Sequence, residues 1–434
     1  MHWATREERL NLGHTRRKQV ARAQHAEFSS KQRPVPALKL IEHSMKGRVP
    51  ALVRLKYERM LASPFGYFRG AAMVMAADLA AAPETGLIVQ ICGDAHVRNL
   101  GAYGTPDGRV LFDINDFDES IQGPFEWDLK RMAASVVLAG RESATKDLGV
   151  RRAAERCIAV YVERMRQFAT MPLLEVSRWQ VHRLNHVEPV HAALEKAQTM
   201  TPATVLEQLT VATTGNNEAA RRFRENKPIL SRITGAKAAA VLAALGPYRS
   251  QLEPQRQHLL SQYRPVDVAF KVVGVGSVGL RDYCVYFEGN GPEDALFLQI
   301  KEETDSCFAP YISSAHPPRH NGQRVAGGQR AMQMQSDPFL GWTQFGGRDY
   351  LVRQLNDHKG SVNEQDLSGP NLLTYAEVCG ELLARGHARS GDPVVLSGYL
   401  GKGAGFAKAI AEFGATYADQ TEKDWAELKR AGKV

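Results

Sequence analysis

A short apolar run, Leu87 to Ile91, reads as a buried strand, and it ends in Cys92-Gly93-Asp94-Ala95-His96-Val97-Arg98-Asn99. Asp94, His96 and Asn99 therefore stand at close spacing just past a strand end. The chain then turns at Thr105-Pro106-Asp107-Gly108, a strong turn sequence between Leu100–Tyr103 and Arg109–Ile114. The hairpin delivers a second acidic cluster, Asp113-Ile114-Asn115-Asp116-Phe117-Asp118-Glu119.

An Asp, an Asn five residues on, and a hairpin ending in Asp is the order in which phosphoryl-transfer sites place a catalytic base and a magnesium site. Asp94 is positioned to accept the proton of an incoming hydroxyl. Asn99 and a hairpin carboxylate offer hard oxygen ligands to the metal. Asp116 is the first choice for that carboxylate, Asp113 the alternative, and Asp118 an auxiliary. His96 is read as orienting the catalytic loop.

The chain has 434 residues, 44% hydrophobic and 24% charged, which suits two or three domains or one large two-lobed enzyme. A net charge of +8 permits an anionic partner such as a nucleotide. No nucleic-acid module accompanies it, so no nucleic acid is expected. The densest basic stretch, Arg16-Arg17-Lys18, falls in an N-terminus expected to fray. Five cysteines without a CxxC pair indicate a reducing compartment. Met1 to Phe28 has no apolar signal core, and the run Ala71–Ala82 is short and interrupted by Asp78. A cytoplasmic protein without a membrane span is expected. Oligomeric state is not written in the sequence.

Pro50 to about Ala82 is helical, with Ser63 as an N-cap and Pro64 at the first helical position. Residues 126–170 and 180–260 read as mostly helical. From Val266 the texture changes: Ala269–Gly274, Arg281–Glu288 and Leu296–Lys301 form an antiparallel meander. Its first turn is Gly274-Val275-Gly276-Ser277-Val278-Gly279, whose glycines let backbone N–H groups approach phosphate oxygens. A strand follows it, unlike a Rossmann fingerprint, and no Gly-Lys-Ser/Thr closes it as in a Walker A loop. Lys301 closes the third strand, where kinases keep the lysine that pairs with nucleotide phosphates. Helices cover 322–335 and Tyr375–His387, a strand covers Tyr350–Leu355, and a last amphipathic helix begins at Ala407. Arg69 is a candidate phosphate clamp. Arg353 is a second candidate substrate or phosphate contact and with Lys359 flanks a proposed hinge, His387 caps a helix end, and His316 and His320 lack zinc spacing.

Gly93-Asp94-Ala95-His96 through Asn99 resembles the HGDxHxxN catalytic loop of aminoglycoside phosphotransferases and choline kinases, with Cys92 in place of their first His. Asp116-Phe117-Asp118-Glu119, Gly123-Pro124 and Trp127-Asp128-Leu129 resemble their metal-site segment; the interval from Asp116 to Asp128 fits it and that from Asp113 does not. Asp128 is then implied to be a structural carboxylate holding the catalytic loop. The chain also resembles an uncharacterised bacterial family, a domain of unknown function regarded as kinase-like. That likeness rests on Ser63-Pro64-Phe65 with Arg69-Gly70, Phe125-Glu126-Trp127-Asp128-Leu129-Lys130-Arg131, the glycine run and Gly386-His387-Ala388-Arg389-Ser390-Gly391-Asp392.

The resemblance implies an α+β, two-lobed protein kinase-like fold with a helical C-lobe and a small antiparallel-sheet N-lobe. Here the catalytic loop precedes the glycine loop and lysine, so circular permutation is the economical expectation. The implied divisions are a helical extension (1–86), a C-lobe-like region (87–265), an N-lobe-like β domain (266–360) and a helical segment completing the C-lobe (361–434). The implied activity is an ATP- and Mg2+-dependent phosphotransferase, with Mn2+ as an alternative ion, acting on a hydroxyl of a small molecule. Nucleotide contacts would come from Gly274, Gly276, Ser277, Gly279 and Lys301. One departure stands out: the helix after Lys301 carries no acidic residue to pair with it. Gln323 or Gln329, or Glu302 or Glu303, would have to substitute. Competing readings are a pseudokinase, a nucleotidyl-transferring protein that binds ATP, and, more remotely, a metallophosphoesterase, for which a Gly-Asn-His block is missing.

Overall fold

The computed structural model describes residues 4–181, 184–213, 221–312, 318–355 and 358–433. It is a mixed α+β molecule whose sheets are all antiparallel.

The largest sheet has six strands in the order Gly341–Phe345, Arg348–Gln354, Ala295–Glu303, Asp282–Glu288, Arg264–Lys271, Leu230–Ile233. Strand alternation divides its residues between two faces. Leu296, Leu298 and Ile300, with Tyr283, Val285 and Val352, join a core capped by Val241, Tyr248 and Leu260 from helices Gly235–Ala243, Leu245–Arg249 and Pro254–Ser261. On the other face, Ala269, Cys284 and Phe297 are covered by Val205 and Leu206 of helix Pro202–Leu209 and by Phe223. The rest of that face is polar and carries Asp282, Gln299, Lys301 and Glu303.

These contacts move the division expected at residue 265. The segment from about 200 onward packs on the sheet, because its apolar side chains complete the sheet's two cores. It is also less helical than expected, with short strands Thr210–Ala212, Arg221–Phe223 and Leu230–Ile233. The strand Gly341–Phe345 and the helix Pro393–Leu400 are further elements that the sequence pattern did not separate.

The helical body is built on Phe125–Glu142, Asp147–Phe168, Gly369–Ser390 and Ala404–Arg430. Beside it lie the pair Ile88–Ile91/Ile121–Pro124 and the three-stranded sheet Gly360–Ser361, Leu100–Gly104, Val110–Ile114. The hairpin turn forms as its residues require: Gly108 has φ +80° and its N–H donates to Thr105 O. Through Gly360–Ser361 the chain returns from the large sheet to the body.

The N-terminal residues are helical through Arg6–Gln19, Ala37–Ser44, Pro50–Leu61, Pro64–Gly70 and Ala72–Ala80. Ser63 caps Pro64–Gly70 by accepting from the Gly66 N–H. The first helix is not a frayed arm. Gly13 lies in contact with the backbone of Val395 and Tyr399, at a crossing that leaves no room for a side chain. Arg33 donates to both carboxylate oxygens of Asp78 (2.7 Å each) and to Asp424 (2.8 Å), and Tyr417 adds a bond to Asp78. This explains how the apolar run around Asp78 tolerates an acid: the charge is buried but paired.

Candidate active-site cleft

Asp94 is held from beneath. The carboxylate of Asp128, in the first turn of Phe125–Glu142, accepts from the N–H groups of Cys92 and Gly93 at 2.9 Å each. Gly93 has φ +78° and lies against the Glu119 carbonyl, which restricts the position to glycine. His387 approaches Asp128 Oδ2 at 3.3 Å through Nε2, and Tyr161 at 3.0 Å through Nδ1. His387 is therefore part of a fully buried network that fixes the loop, rather than a helix cap.

Asp94 Oδ1 accepts from Arg131 Nε at 2.6 Å, and the Arg131 Nη2 pairs with the same oxygen. Arg131 is fully buried, donates to Phe68 O and stacks over the Phe68 ring at 4.2 Å. Asp94 Oδ2 is 3.7 Å from His96 Nε2, too long for a hydrogen bond. His96 Nδ1 accepts from the Arg98 N–H, and burial, with Arg69, Arg131 and Arg98 nearby, pushes its pKa well below the usual histidine value. A neutral His96 suits an orienting role. Asn99 donates to Asp94 O at 2.8 Å.

The end of the hairpin forms the second wall. Asp116 accepts from the Asp118 N–H at 3.3 Å and makes no ion pair among the described residues. Burial and the Asp118 charge push its carboxyl up to about 6. Burial would also raise Asp118, but an ion pair with Lys301 holds it at about 2. Asp113 is not brought into the cleft. It is buried against Arg385, and its oxygens accept from the N–H groups of Ile114 and Met334. Asp116, which the spacing favours over Asp113, does line the cleft.

The third wall comes from the large sheet. Burial alone would lower the Lys301 pKa, yet Asp118, Asp116 and Glu303 hold it above the ordinary lysine value. Its partner is Asp118, not a residue of the following helix. Gln329 bonds Gln333, and Glu302 pairs with Arg281 and Arg348. The helix Asn321–Met332 contributes differently: Arg324 donates to Ser120 O (2.6 Å), Asp118 O (2.8 Å) and Thr304 O (2.8 Å), pinning the backbone that carries Asp118. Glu303 is buried, its Oε1 has no partner among the described residues, and burial, then Asp118, push its carboxyl well above the usual range. Arg353 donates to Gln299, which donates to Asp282, so this expected phosphate contact is engaged on the sheet. His320 caps its helix, accepting from the Gln323 N–H; His316, Asn356 and Asp357 lie outside the described residues.

The walls enclose a cavity of about 90 Å³ lined by Asp94, His96, Asn99, Asp116, Asp118 and Glu119, and facing them by Gly274, Val275, Gly276, Ser277 and Glu303. Arg69 and Arg48 border it. Ser277 Oγ lies 3.2 Å from Asp118 Oδ2, so the glycine loop is closed onto the acidic hairpin. The loop is also gripped from outside. Arg59 donates to Gly274 O, Lys56 to Val275 O (3.2 Å) and Gly276 O (2.8 Å), and Arg48 to Val278 O (2.6 Å). Sequence reasoning missed Arg48, Lys56, Arg59 and Arg324, all of which act on backbone carbonyls. It quoted Arg131 without giving it a role.

Residues 48–431 match a family described as an uncharacterized protein conserved in bacteria, DUF2252. The chain belongs to this family. Comparison with curated proteins and with solved structures finds no match. The family span takes in every cleft residue named above. It excludes the first helix and Arg33, which nevertheless pack against the body. No helix among the described residues is long and apolar enough to cross a membrane.

Proposed function

We propose that this chain is an ATP- and Mg2+-dependent phosphotransferase acting on a hydroxyl of a small molecule, built on a circularly permuted kinase-like fold. One observation carries the reading: a catalytic-type loop, an acidic hairpin, a glycine loop and a strand lysine, spread from residue 94 to residue 301, line or adjoin one cavity. In this reading Asp94 Oδ2, the oxygen not held by Arg131, is the base for the incoming hydroxyl.

The residues present fit the metal. Asp116 is a carboxylate beside Asp118 with no ion pair among the described residues, and Asn99 presents an amide at the same cavity, a hard-oxygen set suited to Mg2+ or Mn2+. A cation there would offset the burial and the Asp118 charge that together raise the Asp116 pKa. Bound ATP would supply the transferable phosphoryl group, and the metal would neutralise charge on its oxygens. Asp118 would exchange Lys301 for the cation, freeing the lysine for phosphate oxygens, and Gly274–Gly279 would cover them.

A second reading, ATP binding with nucleotidyl transfer or with no transfer, draws on the occupied state of two key groups: Arg131 on Asp94 and Asp118 on Lys301. Incubation with ATP labelled at the α or the γ phosphate, over a panel of hydroxyl compounds, separates these. γ-Label in an acceptor supports phosphoryl transfer, and α-label supports nucleotidyl transfer. ATP binding without either transfer supports a binding protein.

A further inference from the structure

We propose that helix Pro50–Leu61 is part of the phosphate site, and that Lys56 and Arg59 are positioning residues that aim the glycine-loop amides at an anion. This rests on the reading of the cleft as a phosphate site.

Carbonyls 274, 275 and 276 are all captured by Arg59 and Lys56. The only cis peptide among the described residues is Lys227-Pro228, so these three are trans. In a planar trans peptide the C=O and the following N–H point in opposite directions. Fixing three successive carbonyls toward the helix therefore turns the N–H groups of Val275, Gly276 and Ser277 away from it, to the side on which the loop lines the cleft. Such successive amides form a concave anion-binding nest. Gly274, at φ +61°, makes the sharp entry into this turn, a backbone conformation that favours glycine. None of the three N–H groups has a hydrogen-bond partner among the described residues.

The ligand class follows. Three convergent amides, bordered by Arg48 and Arg69 and adjoining Lys301, suit a phosphate or pyrophosphate oxygen cluster. Lys56 is fully buried, and burial, then Arg48, depress its pKa. A lysine kept in such a place, with two loop carbonyls as its hydrogen-bond partners, is explained by the conformation it imposes.

The test is calorimetric titration of the full chain with inorganic pyrophosphate and with ATP, each with Mg2+, alongside Lys56→Met, Arg59→Met and Arg59→Lys. Loss of a charge-assisted hydrogen bond should weaken both ligands by the same factor, about tenfold or more, in the two Met variants. Arg59→Lys, which retains a donor, should stay within about threefold of wild type. In hydrogen exchange, pyrophosphate should protect the amides of residues 275–277 in wild type and not in Arg59→Met. Wild-type affinity and protection in the Met variants would overturn the inference while leaving the phosphate site standing. A wild-type chain that binds neither ligand would overturn the phosphate reading itself. Should Lys56→Met fail to fold, Arg59→Met, at a partly exposed position, decides alone.

Discussion

The two sides of the cleft are held by opposite means. On the Asp94 side, the loop Cys92–Asn99 is fixed mostly by neighbours in sequence: Asp128 and Arg131 belong to the helix that follows the hairpin. On the glycine-loop side the grip comes from Arg48, Lys56 and Arg59, more than two hundred positions away. The first side is a buried, satisfied network. The second is a surface loop whose conformation is borrowed from another element. Under the proposed function the first side would set chemistry and rigidity, and the second ligand affinity.

The largest effect should be Asp94→Ala, which removes the proposed base. Turnover should fall by about a thousandfold or more while the ATP dissociation constant stays within about threefold, as read by steady-state kinetics and titration. Parallel loss of both would break the division of labour. Next, Asp128→Ala should cost about 3–5 kcal/mol in denaturant unfolding, because two buried N–H groups and His387 lose their partner together. A near-neutral result would mean the Cys92–Asn99 loop is held elsewhere.

Asp113 and Asp116 then form a matched pair. Asp113→Asn leaves Arg385 buried without its counter-ion, so stability should drop by about 2–4 kcal/mol with little change in Mg2+ dependence. Asp116→Asn should do the reverse, abolishing the Mg2+-induced thermal shift. The smallest effect is in pH. Asp116 is a carboxyl raised to about 6 in the folded chain from an ordinary value near 4. Below about pH 4 it is protonated in both states and contributes nothing. Between about pH 4 and 6 the unfolded chain releases that proton first, so the metal-free protein loses stability as pH rises, and the loss is complete above about 6. Asp116→Asn should flatten that decline in a thermal-melt series. Mg2+ should restore stability above pH 6 and have little effect at pH 5. A decline unchanged by the substitution would assign it to other groups.

The sequence spoke clearly where a residue's role is local. The strand before Cys92, the Thr105–Gly108 turn and the Ser63 cap all rest on spacings within one supersecondary unit. The expected partner of Lys301 was sought on the next helix, whereas the structure supplies Asp118 from the distant hairpin. The cations that act on carbonyls were invisible for a physical reason: every residue offers the same backbone acceptor, so no side-chain pattern marks the recipient. The division at residue 265 was misplaced for a related reason. Helix Pro202–Leu209 has the same apolar character whether it packs on the helical body or on the sheet, and only tertiary contact decides.

The family match begins at residue 48, but the molecule's integrity begins earlier. Arg33 is a single guanidinium shared by two carboxylates, Asp78 and Asp424, drawn from opposite ends of the chain. A chain trimmed to the family's span would keep both acids and lose their common counter-charge, and it would uncover the helix Pro393–Leu400 where Gly13 now rests. What looks like a dispensable leader is the clasp that ties the first residues of this fold to its last.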